Sequence, residues 1–513
     1  MICSNKAVDV RQISFTCLNP PVLDAETTEN SQLTSLIEAR FASRLSRKDP
    51  ALWGREAETE ARIRLGWVTA PLEADSLISA ATEYRTVLEQ FGVRRLVLCG
   101  MGGSSLGPEM IAQHAGVELA VLDATHPDAL AKVAEHLTDA AFIISSKSGT
   151  TVETRSHLAF LEQALLEAGI DAATRIIVIT DPGTDLERHA REHGYRVFLA
   201  DPNIGGRFSA FSAFGLVPIV LAGANAQALC ADAQSALSQI SRDSVENPAL
   251  RLAVRMTANK SALVLASNEQ SFGLEAWVEQ LIAESTGKDK TGILPVVIDE
   301  ATAKQVLPAA ERCEVEGSLG SLLMTRMFAT CAAAHLLGVN PFDQPDVEAA
   351  KQAARNLLQS DAPMSAVQQQ ESLAPSEVFS WLDDVAGQSD YVALHIFGES
   401  ASSDSEVHRA AERLQSAFWR RYGIPCSIGY GPRFLHAAGQ FQKGGGGRGA
   451  FLQLIQPWSN DAKIPGAGFS FGRLLRAQAD GDADVLRSRG KSVFQVAAEP
   501  VPLLLSLAKL VAS

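Results

Sequence analysis

The chain has 513 residues, with 45 basic against 59 acidic side chains, a net charge of −14 and seven cysteines. That length supports two or three domains with sizeable cores, and so acidic a balance speaks against a general nucleic-acid binder. No apolar run approaches the ~20 residues that span a bilayer, the first ten residues lack a signal core, and an odd number of cysteines without CxxC spacing fits a reducing cytosol better than a disulfide framework or a zinc ribbon.

Residues 1–75 read as a polar start followed by helices, with helical patterning at Leu33–Leu45 and Glu56–Leu65. From residue 90 short apolar runs alternate with helical ones: Leu96–Cys99, Ala120–Leu122, Phe142–Ile144, Ile176–Ile179 and Val197–Leu199. This rhythm predicts a parallel sheet covered by helices on both faces. It restarts near 262, with strands at Ala262–Leu265 and Leu294–Ile298 and a helix at Ser271–Ala283 between them. Long helices are predicted at Leu319–Leu337 and from Pro345 onward, and a Gln-, Ser- and Pro-rich stretch at 359–374 reads as an exposed connection. A third block follows: strand Tyr391–Ile396, helix Ser405–Tyr422, strand Phe451–Ile455. The expected architecture is α/β: a helical N-terminal arm over 1–75 and two doubly wound parallel-sheet domains, over 76–240 and 241–513.

Two turns in the first block suit anions. Leu96–Cys99 runs into Gly100-Met101-Gly102-Gly103-Ser104-Ser105-Leu106-Gly107, with Pro108 in a helix start. Glycines let backbone N–H groups approach a ligand closely. With Asp123 twenty residues beyond Gly103, the segment mimics a dinucleotide fingerprint, but Ser105 replaces the third glycine. The second turn, Ser145-Ser146-Lys147-Ser148-Gly149-Thr150-Thr151, follows an apolar strand and precedes an amphipathic helix. Its hydroxyls, lysine and free N–H groups at a positive helix end suit the phosphate of a small molecule, and equally make an ordinary Ser/Thr-rich N-cap.

Three further segments carry charge chemistry. Gly205-Gly206-Arg207-Phe208-Ser209 puts a cation on a tight turn, where it either stabilises an oxyanion or makes a structural ion pair. Glu284 ends a helix whose apolar side is Phe272, Leu274, Trp277, Leu281 and Ile282, with Gly287 as terminator. A carboxylate facing the negative end of a helix dipole gains proton affinity, which suits a base; a solvated surface glutamate is the alternative. In Asn340-Pro341-Phe342-Asp343-Gln344-Pro345, Asp343 or Gln344 is placed to cap the helix that carries Lys351. His436, in Gly431-Pro432-Arg433-Phe434-Leu435-His436, can exchange a proton near neutrality, and the glycines 444–447 after it read as a flexible linker. His189-Ala190-Arg191-Glu192-His193 has a zinc-like spacing without a third ligand, and reads as a helix terminus.

In this order, Gly100–Pro108, Ser146–Thr154, Gly205–Ser209, Glu284–Lys288 and Asn340–Lys351 resemble the phosphoglucose isomerase family. Gly431–Gln440 and Ile464–Gly472 are most similar to the isomerase half of fused transaldolase–isomerase proteins. The resemblance implies tandem sugar-isomerase (SIS) domains and reversible conversion of glucose 6-phosphate to fructose 6-phosphate, with no metal or nucleotide cofactor. It implies that Ser146, Lys147, Ser148 and Thr151 bind phosphate, that Gly103 and Ser104 line the sugar, and that Gln344 contacts it. Arg207 would steady an enediolate, His436 with Lys351 would open the ring, and Glu284 would move the proton between C2 and C1. A cytoplasmic homodimer sharing residues across its interface is expected, without nucleic-acid or membrane partners. In most members the histidine motif lies between the glutamate and lysine motifs, whereas here His436 follows Lys351, which leaves open the subunit it serves. Other readings are a SIS-fold isomerase of broader range, including mannose 6-phosphate, a non-catalytic sugar-phosphate sensor, and a dinucleotide-dependent oxidoreductase.

Overall fold

The apolar runs that alternate with helical ones become buried strands, because a parallel sheet covered on both faces needs apolar side chains on both. The computed structural model describes residues 13–19, 25–258, 262–267, 273–307, 311–359, 374–399 and 405–513. Its strands are β1 (Ile13–Asn19), β2 (Arg95–Gly100), β3 (Ala120–Leu122), β4 (Ala140–Ser145), β5 (Ile176–Thr180), β6 (Arg196–Leu199), β7 (Leu263–Ser267), β8 (Pro295–Asp299), β9 (Glu311–Gly317), β10 (Tyr391–Phe397), β11 (Cys426–Gly431), β12 (Gly449–Ile455) and β13 (Ser492–Ala497). Every residue of β4, β5, β10 and β12 is buried.

Two sheets are wholly parallel, as the alternating pattern predicts: β3-β2-β4-β5-β6 and β11-β10-β12-β13. A third sheet, β8-β7-β1-β9, is mixed. There β7 and β8 are parallel, while β1 runs antiparallel between β7 and β9. The polar start of the chain therefore contains a strand as well as helices. The predicted connection at 359–374 lies outside the described residues except at its ends, as do residues 271–272 of the predicted helix, which is seen as Leu274–Thr286.

The mixed sheet and the second parallel sheet meet edge to edge, β8 beside β11. A single buried amide bridges them: Gln415 Nε2, on helix Glu406–Tyr422, donates to Val297 O of β8 (3.0 Å) and Cys426 O of β11 (2.7 Å). The two outer strands thus satisfy carbonyls through a side chain where no ladder runs between them.

The N-terminal helices pack into the main core. Trp53 donates its indole N–H to Cys331 O at 3.0 Å, and Trp67 stacks on Phe208 at 5.1 Å. Leu65 pairs with Ile204, and the Gly66 N–H donates to Asn203 O. These contacts brace the turn that carries Arg207.

In the first sheet β3 lies on one side of β2 and β4 on the other, so the chain reverses direction between β2 and β4. Ligands of open α/β sheets bind outside the carboxyl ends of strands at such a point. The glycine turn after β2 and the hydroxyl-rich turn after β4 both open there.

The amide bridge yields a stability prediction. Gln415→Leu removes both bonds and is expected to lower unfolding free energy by about 2–6 kcal/mol, at about 1–3 kcal/mol for each of the two buried carbonyls left unpaired. Urea denaturation measures this, and an unchanged midpoint would show that the edges need no bridge.

Candidate active site

The residues singled out from sequence converge from five segments. Arg207 sits in a 3-10 turn, Gly206–Phe211, and is 4% exposed. Its guanidinium donates to Ser285 Oγ (2.9 Å), Gln344 Oε1 (2.9 Å), Pro341 O (2.5 Å) and Asp343 O (3.2 Å), and its Nη1 lies 3.0 Å from Glu284 Oε1. A buried cation this well solvated by protein keeps its charge and its direction. Glu284 is in the last turn of its helix, and Gly287 ends that helix, as the sequence predicts.

Gln344 therefore faces Arg207 and does not cap the next helix. Asp343 is also engaged elsewhere: its Oδ1 accepts from Lys288 Nζ at 2.6 Å. The N-terminal N–H groups of helix Pro345–Gln359 are satisfied instead by Gln440, whose Oε1 accepts from Asp346 N (3.0 Å) and Val347 N (3.3 Å). This corrects the expected local cap, which the pull of Arg207 and Lys288 on residues 343–344 overrides. Lys288 also donates to Asn340 O (2.5 Å) and Asp343 O (2.7 Å). Burial and the nearby Arg207 charge lower its pKa to about 8 against the opposing pull of Asp343.

His436 approaches from the other side. Its Nε2 lies 3.0 Å from Glu153 Oε1, and its backbone carbonyl accepts from Gln280 Nε2 at 2.7 Å. The same Gln280 Nε2 reaches Glu284 Oε2 at 3.2 Å, so one amide ties the glutamate to the histidine turn. Burial alone would raise the pKa of Glu153, but the charge and hydrogen bond of His436 outweigh it and hold the carboxyl at about 2. His436 thus meets Glu153 of its own chain.

The glycine turn is the hub of these approaches. A Cβ on Gly103 would lie 2.0 Å from Gly206 O, and one on Gly102 (φ +57°) would lie 2.7 Å from His436 O. Only glycines let the Arg207 and His436 turns come so close. Gly287 and Gly444 do the same for the helix after His436, since Cβ atoms there would lie 2.4 Å from Phe441 Cα and 2.0 Å from Asp346 Oδ2. Gly444, read from sequence as the start of a linker, is thus in a packed crossing.

The hydroxyl-rich turn opens the helix Val152–Glu167. Ser146 donates to Thr151 Oγ1 at 3.1 Å, and Ser148 and Thr150 hydroxyls lie 2.9 Å apart. Ser148 and Thr150 are exposed, and Ser104 is buried in the neighbouring Gly102–Ser104 turn. Two lysines of the expected site are paired with carboxylates. Lys147 Nζ is 2.5 Å from Asp181 Oδ2 and 3.2 Å from Pro202 O. Lys351 Nζ lies 2.9 Å from Glu348 Oε1 on its own helix, although its charge still acts on Glu153.

The dinucleotide-like spacing does not make a ribose site: Asp123 Oδ2 is 3.1 Å from Arg433 Nη1, and Arg433 also pairs with Glu109. His189 pairs with Glu162 at 2.5 Å and stacks on His193, as a helix terminus. Among the described residues, His126, Asp128 and Glu399 place ligand atoms within 4.8 Å of one another. Lys132 is bound to Glu399 and the positive end of helix Pro127–Ala134 faces the group, so a cation is poorly served there. A cavity of about 200 Å³, lined by Glu109, Glu279, Tyr430 and Arg433 among others, contains none of the singled-out residues.

Sequence reading left Glu153, Gln280 and Lys288 without roles. Glu153 and Lys288 lie inside the quoted motifs, and Gln280 is one helical turn before Glu284; that spacing is the signal that marks it.

Residues 85–307 match the phosphoglucose isomerase family. A glucose-6-phosphate isomerase of Synechococcus is 30% identical over 307 residues, 55% of this chain and 57% of that protein. One of Thermus thermophilus is 32% identical over 241 residues, 44% of this chain and 57% of that protein. The chain thus spans little more than half the length of these relatives. A crystal structure of glucose-6-phosphate isomerase from Chlamydia trachomatis shares the fold with a TM-score of 0.50 at 18% identity, covering 71% of this chain and 90% of that one. The stretch that matches the family contains the glycine turn, the hydroxyl-rich turn, Arg207 and Glu284.

Proposed function

We propose that the protein is an aldose–ketose isomerase that interconverts glucose 6-phosphate and fructose 6-phosphate through a cis-enediolate. The observation that carries this reading is the buried Arg207–Glu284 contact at 3.0 Å, with Gln280 linking Glu284 to the His436 turn. Such an isomerisation needs one carboxylate to move a carbon-bound proton and one fixed cation beside the oxyanion that develops. Glu284 takes the C2 proton and returns it at C1 on the same face. Arg207, held by four other acceptors, stabilises the enediolate oxygen without reorganising. His436, oriented by Glu153, protonates the ring oxygen as the sugar opens. Ser146, Ser148 and Thr151, with the N–H groups of the helix start, hold the phosphate; Gly103 and Ser104 line the sugar and Gln344 contacts it. In this reading Lys147 also binds the phosphate and Lys351 assists ring opening, each with donors left over beyond its contact with Asp181 or Glu348.

The motifs at 431–440 and 464–472 support a kinship with the isomerase half of fused transaldolase–isomerase proteins. A cytoplasmic homodimer completes the reading, with His436 serving its own chain because Glu153 of that chain accepts its hydrogen bond.

Glu284→Gln keeps size and polarity but cannot accept a proton. Its kcat is expected to fall by about 10²–10⁴, as for a lost general base, with KM for glucose 6-phosphate nearly unchanged. A coupled assay of fructose 6-phosphate formation measures both, and near-normal turnover would remove Glu284 from the chemistry. Arg207→Lys keeps the charge but not the planar fork. It is expected to lose on the order of a hundredfold or more in kcat, as when one oxyanion donor is removed. Full activity with normal thermal stability in Arg207→Lys would contradict the role given to this side chain.

A further inference from the structure

We propose that Gln478, backed by Thr125, is a positioning residue that fixes the Glu153–His436 pair for proton transfer, a step that rests on the isomerase reading above. Gln478 lies on helix Phe471–Ser488 and is 3% exposed. Its Nε2 donates to Glu153 Oε1 at 2.7 Å, the same oxygen that receives His436 Nε2 at 3.0 Å. Behind it, the fully buried Thr125 hydroxyl donates to Gln478 Oε1 at 2.8 Å.

The chemistry allows one direction through this chain. An ionised carboxylate only accepts, so the amide N–H faces Glu153 and the amide oxygen faces Thr125, whose hydroxyl must donate. The row reads Thr125, Gln478, Glu153, His436, and each group locks the next. Two donors on one carboxylate oxygen share its charge, leaving less of it to hold the imidazole proton. Without Gln478 the buried carboxylate would grip that proton more tightly, and His436 would release it less readily to the sugar.

Other charged groups also face the pair. Lys351 acts on Glu153 and Glu348 on His436, both from helix Pro345–Gln359, and His157 adjoins Glu153 on its own helix. Arg433, on the turn that carries His436, is taken up by Asp123 and Glu109. None of these groups is altered by the substitutions that follow.

The test is NMR titration of the His436 imidazole in the full chain with labelled histidine, assigned with His436→Gln. In Gln478→Leu its pKa is expected to rise by about one pH unit, a tenfold tighter hold on the proton. Thr125→Val, which frees the amide to turn, should move it the same way by less, and Thr125→Ser should keep the wild-type value. In kcat/KM profiles with glucose 6-phosphate, the limb belonging to His436 should move with the titration. A merely structural role would leave the titration unmoved. Folded Gln478→Leu and Thr125→Val proteins whose His436 titrates as in the wild type would overturn the proposal; if Gln478→Leu does not fold, Thr125→Val decides alone. A wild-type chain inert toward glucose 6-phosphate would overturn the isomerase reading instead, while the titration would still show whether Gln478 sets His436.

Discussion

The site depends on how one buried guanidinium is solvated. Arg207 has almost no access to water, and removing an ion of that size from water costs several kcal/mol unless protein dipoles replace the lost shell. Here the replacement comes from Ser285, Gln344, Glu284 and the carbonyls of Pro341 and Asp343. Satisfying one cation therefore pins the end of helix Leu274–Thr286 and the loop before helix Pro345–Gln359 around a single point. Lys288 repeats the device one layer out, binding the same loop through Asn340 and Asp343. The loop carries Gln344 inward because two buried cations claim its carbonyls.

The second constraint is steric. The turns bearing Arg207 and His436 both close on Gly102 and Gly103 at distances that a Cβ would forbid. The glycine turn is thus a meeting place for backbone from residues 102, 206 and 436, in addition to any ligand it contacts. It is also why a histidine motif displaced beyond Lys351 in sequence still arrives beside Glu153: the C-terminal segment is drawn over the first sheet by close backbone packing and by Arg433, paired to Asp123 and Glu109.

Much of this was legible in the sequence, for physical reasons. Strands buried on both faces, such as Phe142–Ile144 and Ile176–Ile179, are short apolar runs whatever their partners, and each appears with ends within two residues of the reading. Helix Leu319–Leu337 matches its predicted bounds. What escaped depends on non-local pairing. β1 and β9 carry polar residues and gain their identity from non-local pairing, β9 with β1 across some three hundred residues of chain and β1 also with β7. β11 holds two glycines in six residues, a poor strand signal overruled by its parallel partner β10. At the site, Arg207, Glu284, Gln344 and His436 were legible by residue type and motif order. The cap of helix Pro345–Gln359 was not, because Gln440 lies more than ninety residues away. Nor were the positions of Lys147 and Lys351, since both charges find carboxylates nearby.

In the proposed reaction a single carboxylate beside Arg207 carries a proton between adjacent carbons of a sugar phosphate. NMR of glucose 6-phosphate incubated with the wild-type protein in heavy water tests it most directly. Fructose 6-phosphate is expected to carry deuterium at C1, because the Glu284 side chain keeps 12% exposure and the proton it holds can exchange with solvent before it is returned. Turnover to fructose 6-phosphate with no deuterium at C1, however long the incubation, would point to direct hydride transfer from carbon to carbon and contradict the enediolate account.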